Sequence, residues 1–288
     1  MSSPERVSLS DAAQRLGVHY MTAYHYVRTG RLAAQREGAK WSVALSDLAA
    51  LRRPVASPPR GVTSRDERVR RLRDRMTAGD EAGAWRVVEA AMTAGSAPSE
   101  IYLGLLAPAL RSIGDGWENG EITVAAEHRA SVVASRLVGR LGPRFRRRGR
   151  TRGAVVLGAA PGDAHVLPGA MLADLLRVGG FEPIDLGADV PARSFAEAAA
   201  DADRLVAVVV GATLGGREDA LCEVATAMHR ALPESSLLFG GRAIDGDDHA
   251  RALGAVGWSG HDAASAVARI SALASAARAT SSDATAAD

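Results

Sequence analysis

The passage that most constrains this chain is Gly153-Ala-Val-Val-Leu-Gly-Ala-Ala-Pro-Gly-Asp-Ala-His-Val-Leu-Pro-Gly169. Its apolar start has strand length, Pro161-Gly162 breaks the run, and Ala170-Met-Leu-Ala-Asp-Leu-Leu-Arg177 repeats apolar residues at helical spacing. Strand, tight loop and helix open a βαβ unit. The alternation continues through strands at Phe181–Gly187, Leu205–Val210, Ser236–Gly241 and near Ala255–Trp258, a helix opening at Asp189, and a final helix over about 263–277. Such alternation requires a parallel sheet, here expected in flavodoxin-like (Rossmann-like) order. Ligands of open α/β sheets bind beyond the carboxyl ends of the strands, where Asp163 and His165 fall.

Asp-x-His is also a chemical pair. A carboxylate that accepts one ring N–H fixes the imidazole tautomer and makes the other nitrogen a better metal ligand. No Cys or second His stands nearby to complete a zinc set, so a metal here would have to arrive with its other ligands in place. A loop His held by a neighbouring Asp is the alternative reading of the tripeptide alone. The loop resembles the Asp-x-His-x-x-Gly motif of cobalamin-binding domains. That resemblance implies His165 as lower axial ligand of cobalt in place of the cofactor's benzimidazole, with Asp163, Gly162 and Gly169 around it.

Charge divides the chain. Residues 1–150 carry 25 basic and 15 acidic side chains, and the remainder 10 and 18, so the small net charge of +2 conceals a basic first half suited to a polyanion. No run nears the roughly 20 apolar residues that span a bilayer, and the first residues do not read as a signal sequence, so a cytoplasmic protein is expected. The single Cys222 forbids an internal disulfide; its helical setting predicts a buried residue.

Residues 8–32 read as two short helices around a turn at Gly17-Val18. Ser10 can cap the first, Ala13 and Leu16 give it an apolar face, and Val18, Ala23 and Val27 do so for the second. The outward face of the second helix offers His19, Tyr20, Thr22, Tyr24, His25 and Arg28 to phosphates and base edges. Residues 34–43 read as a two-stranded wing turning at Gly38, with Arg36 and Lys40 near its tip. Residues 7–52 resemble the winged helix-turn-helix of the excisionase and MerR-like group, which implies operator DNA as partner; domain limits of 1–53 follow, with a Pro-rich linker over 54–63.

From 64 to 143 the periodicity is helical, in segments of about 64–78, 80–94, 99–113 and 123–141, with Asp80, Ser99 and Thr123 as N-caps. Short connections predict a four-helix bundle. An Arg-rich linker, 144–152, leads to the sheet domain, 153–278, and a small polar tail, 279–288, is expected to be disordered. Trp117, placed in a glycine-rich turn, is followed nine residues on by Glu127-His128. Trp-x9-Glu-His, after a MerR-type domain and before an Asp-x-His domain, resembles the CarH-like cobalamin photoreceptors over about residues 7–275. The resemblance implies adenosylcobalamin held with Trp117 and Glu127 over its upper face, His128 as the candidate upper ligand after photolysis, and Thr213, Gly211, Gly215, Gly240 and Gly241 beside the nucleotide tail. It implies a repressor that is a tetramer in the dark and smaller in light.

Three positions depart from that pattern. Pro168 stands at the motif Gly, with Gly169 one place later; Ala212-Thr213-Leu214 replaces Ser-x-Leu; and Glu118 follows Trp117 where light-responsive members carry His. Glu118 gives weight to a light-independent cobalamin sensor. A corrinoid carrier for methyl transfer is a further rival, to which a helix-turn-helix would be useless. No nucleophile or acid–base set suggests an enzyme.

Overall fold

A computed structural model describes residues 6–16, 23, 27, 32–37, 40–51, 64–146, 149–260 and 262–286. The elements run β1 (Arg6–Ser8), α1 (Leu9–Leu16), β2 (Ala34–Glu37), β3 (Lys40–Ala44), α2 (Leu45–Leu51), α3 (Arg65–Thr77), α4 (Glu81–Thr93) and α5 (Pro98–Ile101). A π-helical turn (Tyr102–Leu106) joins α5 to α6 (Ala107–Glu118), then come α7 (Val124–Leu141) and a 3-10 turn (Gly142–Phe145). The rest is β4 (Ala154–Ala159), α8 (Leu167–Val178), β5 (Glu182–Asp185), α9 (Ala192–Asp201), β6 (Leu205–Gly211) and α10 (Glu218–Ala231). It closes with β7 (Leu237–Gly240), α11 (Asp247–Ala252), β8 (Gly257–Trp258) and α12 (Ala263–Ala286). Two compact units result: Met1–Val87 with Ala107–Ser131, and Val88–Leu106 with Val132–Asp288.

In the first unit the expected two-stranded wing gains a third strand. β1 pairs antiparallel with β3, giving the order β1-β3-β2, and Arg6 fixes the join by donating to the Ser42 carbonyl at 2.8 Å. Leu9, Ala12, Ala13, Ala23, Leu32, Val43 and Leu48 form its core. The cap of α1 is Ser8 rather than Ser10: helix begins at Leu9, so it is the Ser8 hydroxyl that accepts from Asp11 N–H at 3.1 Å. Asp80 and Thr123 do cap, accepting from Gly83 and Ala126 N–H. Ser99 does not, because Pro98 opens α5 one residue earlier and Glu100 reaches back to Ala97 N–H at 2.9 Å. Trp117 is not in a turn either. α6 runs through Gly114 and Gly116 to Glu118, and the chain reverses only beyond it, with Glu121 and Ile122 N–H both donating to Gly116 O.

The second unit is built on a five-stranded parallel sheet of order β5-β4-β6-β7-β8, the doubly wound arrangement expected. The strand residues alternate between two buried faces. Val156, Val208, Val210 and Phe239 meet Phe195, Leu221 and Val224 on one side, while Val155, Leu157, Val209 and Leu238 meet Leu172, Leu176 and Ile270 on the other. Each such side chain contributes about 1.5–3 kcal/mol by leaving water. One buried polar node interrupts the apolar packing. Tyr102 OH donates to Asp174 Oδ2 at 2.7 Å, Arg177 to Asp174 Oδ1 at 2.5 Å, and the Tyr102 ring stacks on Phe145 at 4.6 Å.

Three boundaries and one burial differ from expectation here. The Arg-rich stretch is anchored at both ends: Phe145 is buried, and Arg152 lies over the Phe181 ring while donating to Ser271. Asp189 precedes α9 rather than opening it, since its φ of 51° is incompatible with a right-handed helix. Cys222 is exposed, on the outer face of α10. α12 continues to Ala286, through residues expected to be disordered; the stretch contains no Gly or Pro and is rich in Ala, the strongest helix former.

Candidate functional site

β4 and β6 flank the point where the strand order reverses, and the loops leaving their carboxyl ends meet there. Asp163 is fully buried between them. Its Oδ1 accepts from His165 N–H at 3.1 Å and pairs with His165 Nδ1 at 2.6 Å, while Oδ2 accepts from Thr213 N–H at 2.5 Å. Burial alone would raise the Asp163 carboxyl, but the bonds from the His165 ring, Thr213 N–H and His165 N–H together hold it below the usual carboxylate value. The His165 side chain is 44% exposed beyond this anchor. With Nδ1 committed to Asp163, Nε2 is the nitrogen a metal would take.

Thr213 therefore serves by its main chain: its N–H, which any residue but proline would offer, grips Asp163. Pro168 sits in the first turn of α8, where its missing N–H costs nothing, and Gly169 follows inside the helix. Gly162 has φ +78°, and a Cβ there would lie 2.7 Å from Arg217 Nη1. Gly240 packs its Cα against Ser259, and Gly241 (φ +94°) against the carbonyl of Ala212, so the chain's own packing already demands both.

Two residues at the loop were missed from the sequence. Asp189 clamps it from the next strand's exit, its N–H donating to Asp163 O at 2.8 Å and its carboxylate accepting from Gly162 N–H at 2.6 Å. Arg217, just before α10, lays its guanidinium beside Gly162. A carboxylate two residues after the strand-exit Gly187 was the available signal for the first; nothing in the sequence marked the second.

Trp117, Glu127 and His128 belong to the other compact unit. Trp117 is 43% exposed in the last turn of α6. Glu127 accepts from Ser131 OH at 2.8 Å and pairs with His128 Nδ1 at 2.7 Å, so its carboxylate is oriented within α7, and the His128 ring is exposed. Among the proposed DNA contacts, Arg36 is exposed on β2 and Lys40 stands opposite Glu37 in the β2–β3 register. His19, Tyr20, Thr22, Tyr24, His25 and Arg28 lie outside the described residues.

The donor set fits a corrinoid. Among the described residues no three His, Cys, Asp or Glu side chains gather as a metal cage, and a macrocycle that brings its own equatorial ligands would ask only one ligand, His165, of the protein. Val166 and Leu214, exposed apolar residues on the two loops, suit the face of such a ring. No helix among the described residues is long and apolar enough to cross a membrane.

Residues 68–141 match the family described as B12 binding domain, and residues 7–53 the family described as helix-turn-helix domain. The two matches fall on separate stretches of the chain, the helix-turn-helix one at its start and the B12-binding one on the helices that precede the sheet. It is 28% identical over 141 residues to trimethylamine corrinoid protein 1 of Methanosarcina acetivorans, a match covering 48% of this chain and 65% of the relative. It is 31% identical over 132 residues to a dimethylamine corrinoid protein of Methanosarcina barkeri, covering 43% and 61%. The matches thus span less than two thirds of these relatives' length. The solved monomethylamine corrinoid protein of Methanosarcina barkeri shares the fold, with TM-score 0.63 at 22% identity over 73% of this chain and all of that one.

Proposed function

We propose that the protein is a cobalamin-dependent, DNA-binding transcriptional repressor that responds to light. The observation that carries this is the buried Asp163 presenting His165 at the sheet's switch point, in a chain that also bears a helix-turn-helix. His165 would hold cobalt from below, with Asp163 fixing its ring. Trp117 and Glu127 would shield and hydrogen-bond the upper ligand, and His128 would be the upper ligand available after light. Bound adenosylcobalamin supplies a cobalt–carbon bond that light breaks. The chain's part is to favour a DNA-binding tetramer only while its site is filled; a ligand with equal affinity for both assemblies would shift nothing. Each DNA-binding domain lost on dissociation removes several phosphate contacts and so weakens binding steeply.

Glu118 favours a second reading, a light-independent cobalamin sensor, because it stands where a cobalt-capturing His is found in photoreceptors of the resembled type. The corrinoid-carrier reading has support from the relatives but leaves residues 7–53 without a task. The test is to load the protein with adenosylcobalamin and compare its size and its binding to DNA from upstream of its own gene before and after green light. Dissociation and loss of DNA are expected. Unchanged size and binding would reject the light switch; DNA binding that nevertheless depends on added cobalamin would establish the sensor.

A further inference from the structure

Arg217 is a cation with no described partner at the edge of the site. Its Nε is buried without a hydrogen bond, and among the described residues its guanidinium joins no ion pair. The guanidinium nevertheless lies against Gly162, so close that a Cβ at that position would sit 2.7 Å from Nη1. Gly162 is held in place by Asp189 and is followed by Asp163, so Arg217 is positioned relative to His165 by a hydrogen-bonded loop. A desolvated donor without an acceptor costs stability unless a ligand supplies one.

We propose that Arg217 is a specificity-determining residue, reading the phosphodiester of the corrinoid's nucleotide tail. This rests on the corrinoid reading above. The peripheral acid side chains of cobalamin are amides, which leaves the phosphodiester as its one anionic group. A guanidinium fork matches phosphate oxygens two at a time, which a point charge does not. The residue thereby selects complete cobalamins over corrinoids that lack the tail.

The experiment titrates wild type, Arg217→Gln and Arg217→Lys with hydroxocobalamin and with cobinamide, which keeps the corrin ring and lacks phosphate and base. Arg217→Gln should bind cobalamin about tenfold to a hundredfold more weakly, about 1.4–2.8 kcal/mol, and cobinamide less than twofold more weakly. Arg217→Lys should recover part of the loss, and the absorbance of the His165-ligated cobalt should be unchanged in each loaded variant. Equal loss for both corrinoids, or none for either, would overturn the proposal while leaving the cofactor assignment intact. Wild type that binds neither corrinoid would overturn both. Thermal unfolding of the apo variants separates misfolding from lost recognition, and Arg217→Lys keeps the test decisive should Arg217→Gln fail to fold.

Discussion

Tyr102→Phe isolates one hydrogen bond in the second unit. The Tyr102 hydroxyl is buried, donates to Asp174 Oδ2 at 2.7 Å, and lies 3.3 Å from Val138 O. Burial first, then the bond to Asp174 and its charge, raise the hydroxyl far above the usual tyrosine value, so it stays a donor at every working pH. Asp174 is only 4% exposed, and without Tyr102 it keeps Arg177 but loses a donor that water cannot easily replace. A hydrogen bond to a charged acceptor contributes about 1.5–3 kcal/mol. For a unit of this size each kcal/mol moves Tm by roughly 2–4 °C, so a fall of about 3–12 °C is expected. Differential scanning calorimetry measures it, with Asp174→Asn and the double variant completing a cycle. A Tm shift below about 1 °C, or single-variant losses that simply add, would refute the coupling.

Three other perturbations have distinct outcomes. Gly241→Ala forces a side chain onto φ +94° and a Cβ to 2.1 Å from Ala212 O, and should cost at least about 2 kcal/mol in urea unfolding; a neutral result would show that this turn shifts freely. Asp247 is held below the usual carboxylate value by the bond from Trp258 N–H, which together with Arg269 and Arg251 outweighs burial. Its contribution is therefore present above the unfolded pKa of about 3.9 and lost as pH falls through the folded one, so the Tm gap between wild type and Asp247→Asn should be full at neutral pH and narrow in acid; a constant gap would contradict this. Asp163→Asn should weaken cobalamin binding about 10–100-fold by loosening the His165 ring, read by titration; unchanged affinity would mean the ring needs no orientation.

The sheet was legible because Val and Leu runs of strand length alternate with helical spacing, and the strand order followed from that, while the Asp163–His165 pairing was legible from the Asp-x-His spacing. What escaped depends on contacts distant in sequence. Asp189 matters through a left-handed backbone that lets its N–H and its carboxylate face the same loop, which no periodicity reveals. Thr213 drew attention as a residue beside the nucleotide tail, yet the buried carboxylate uses its amide. Phe145 and Arg152 looked like parts of a charged linker until Tyr102 and Phe181 gave them partners. Ser10 and Ser99 were misplaced as caps by the ordinary uncertainty of one or two residues at helix ends.

The most direct test of the account is whether His165 binds cobalt. Protein labelled with 15N-histidine and loaded with cobalamin, then reduced to the Co(II) state, should show in its electron paramagnetic resonance a nitrogen splitting that changes from the triplet of 14N to the doublet of 15N. His165→Ala should lose that splitting. A triplet that persists in the labelled protein would mean that the cofactor's own base still holds the metal, and the assignment of the Asp163–His165 loop would be wrong.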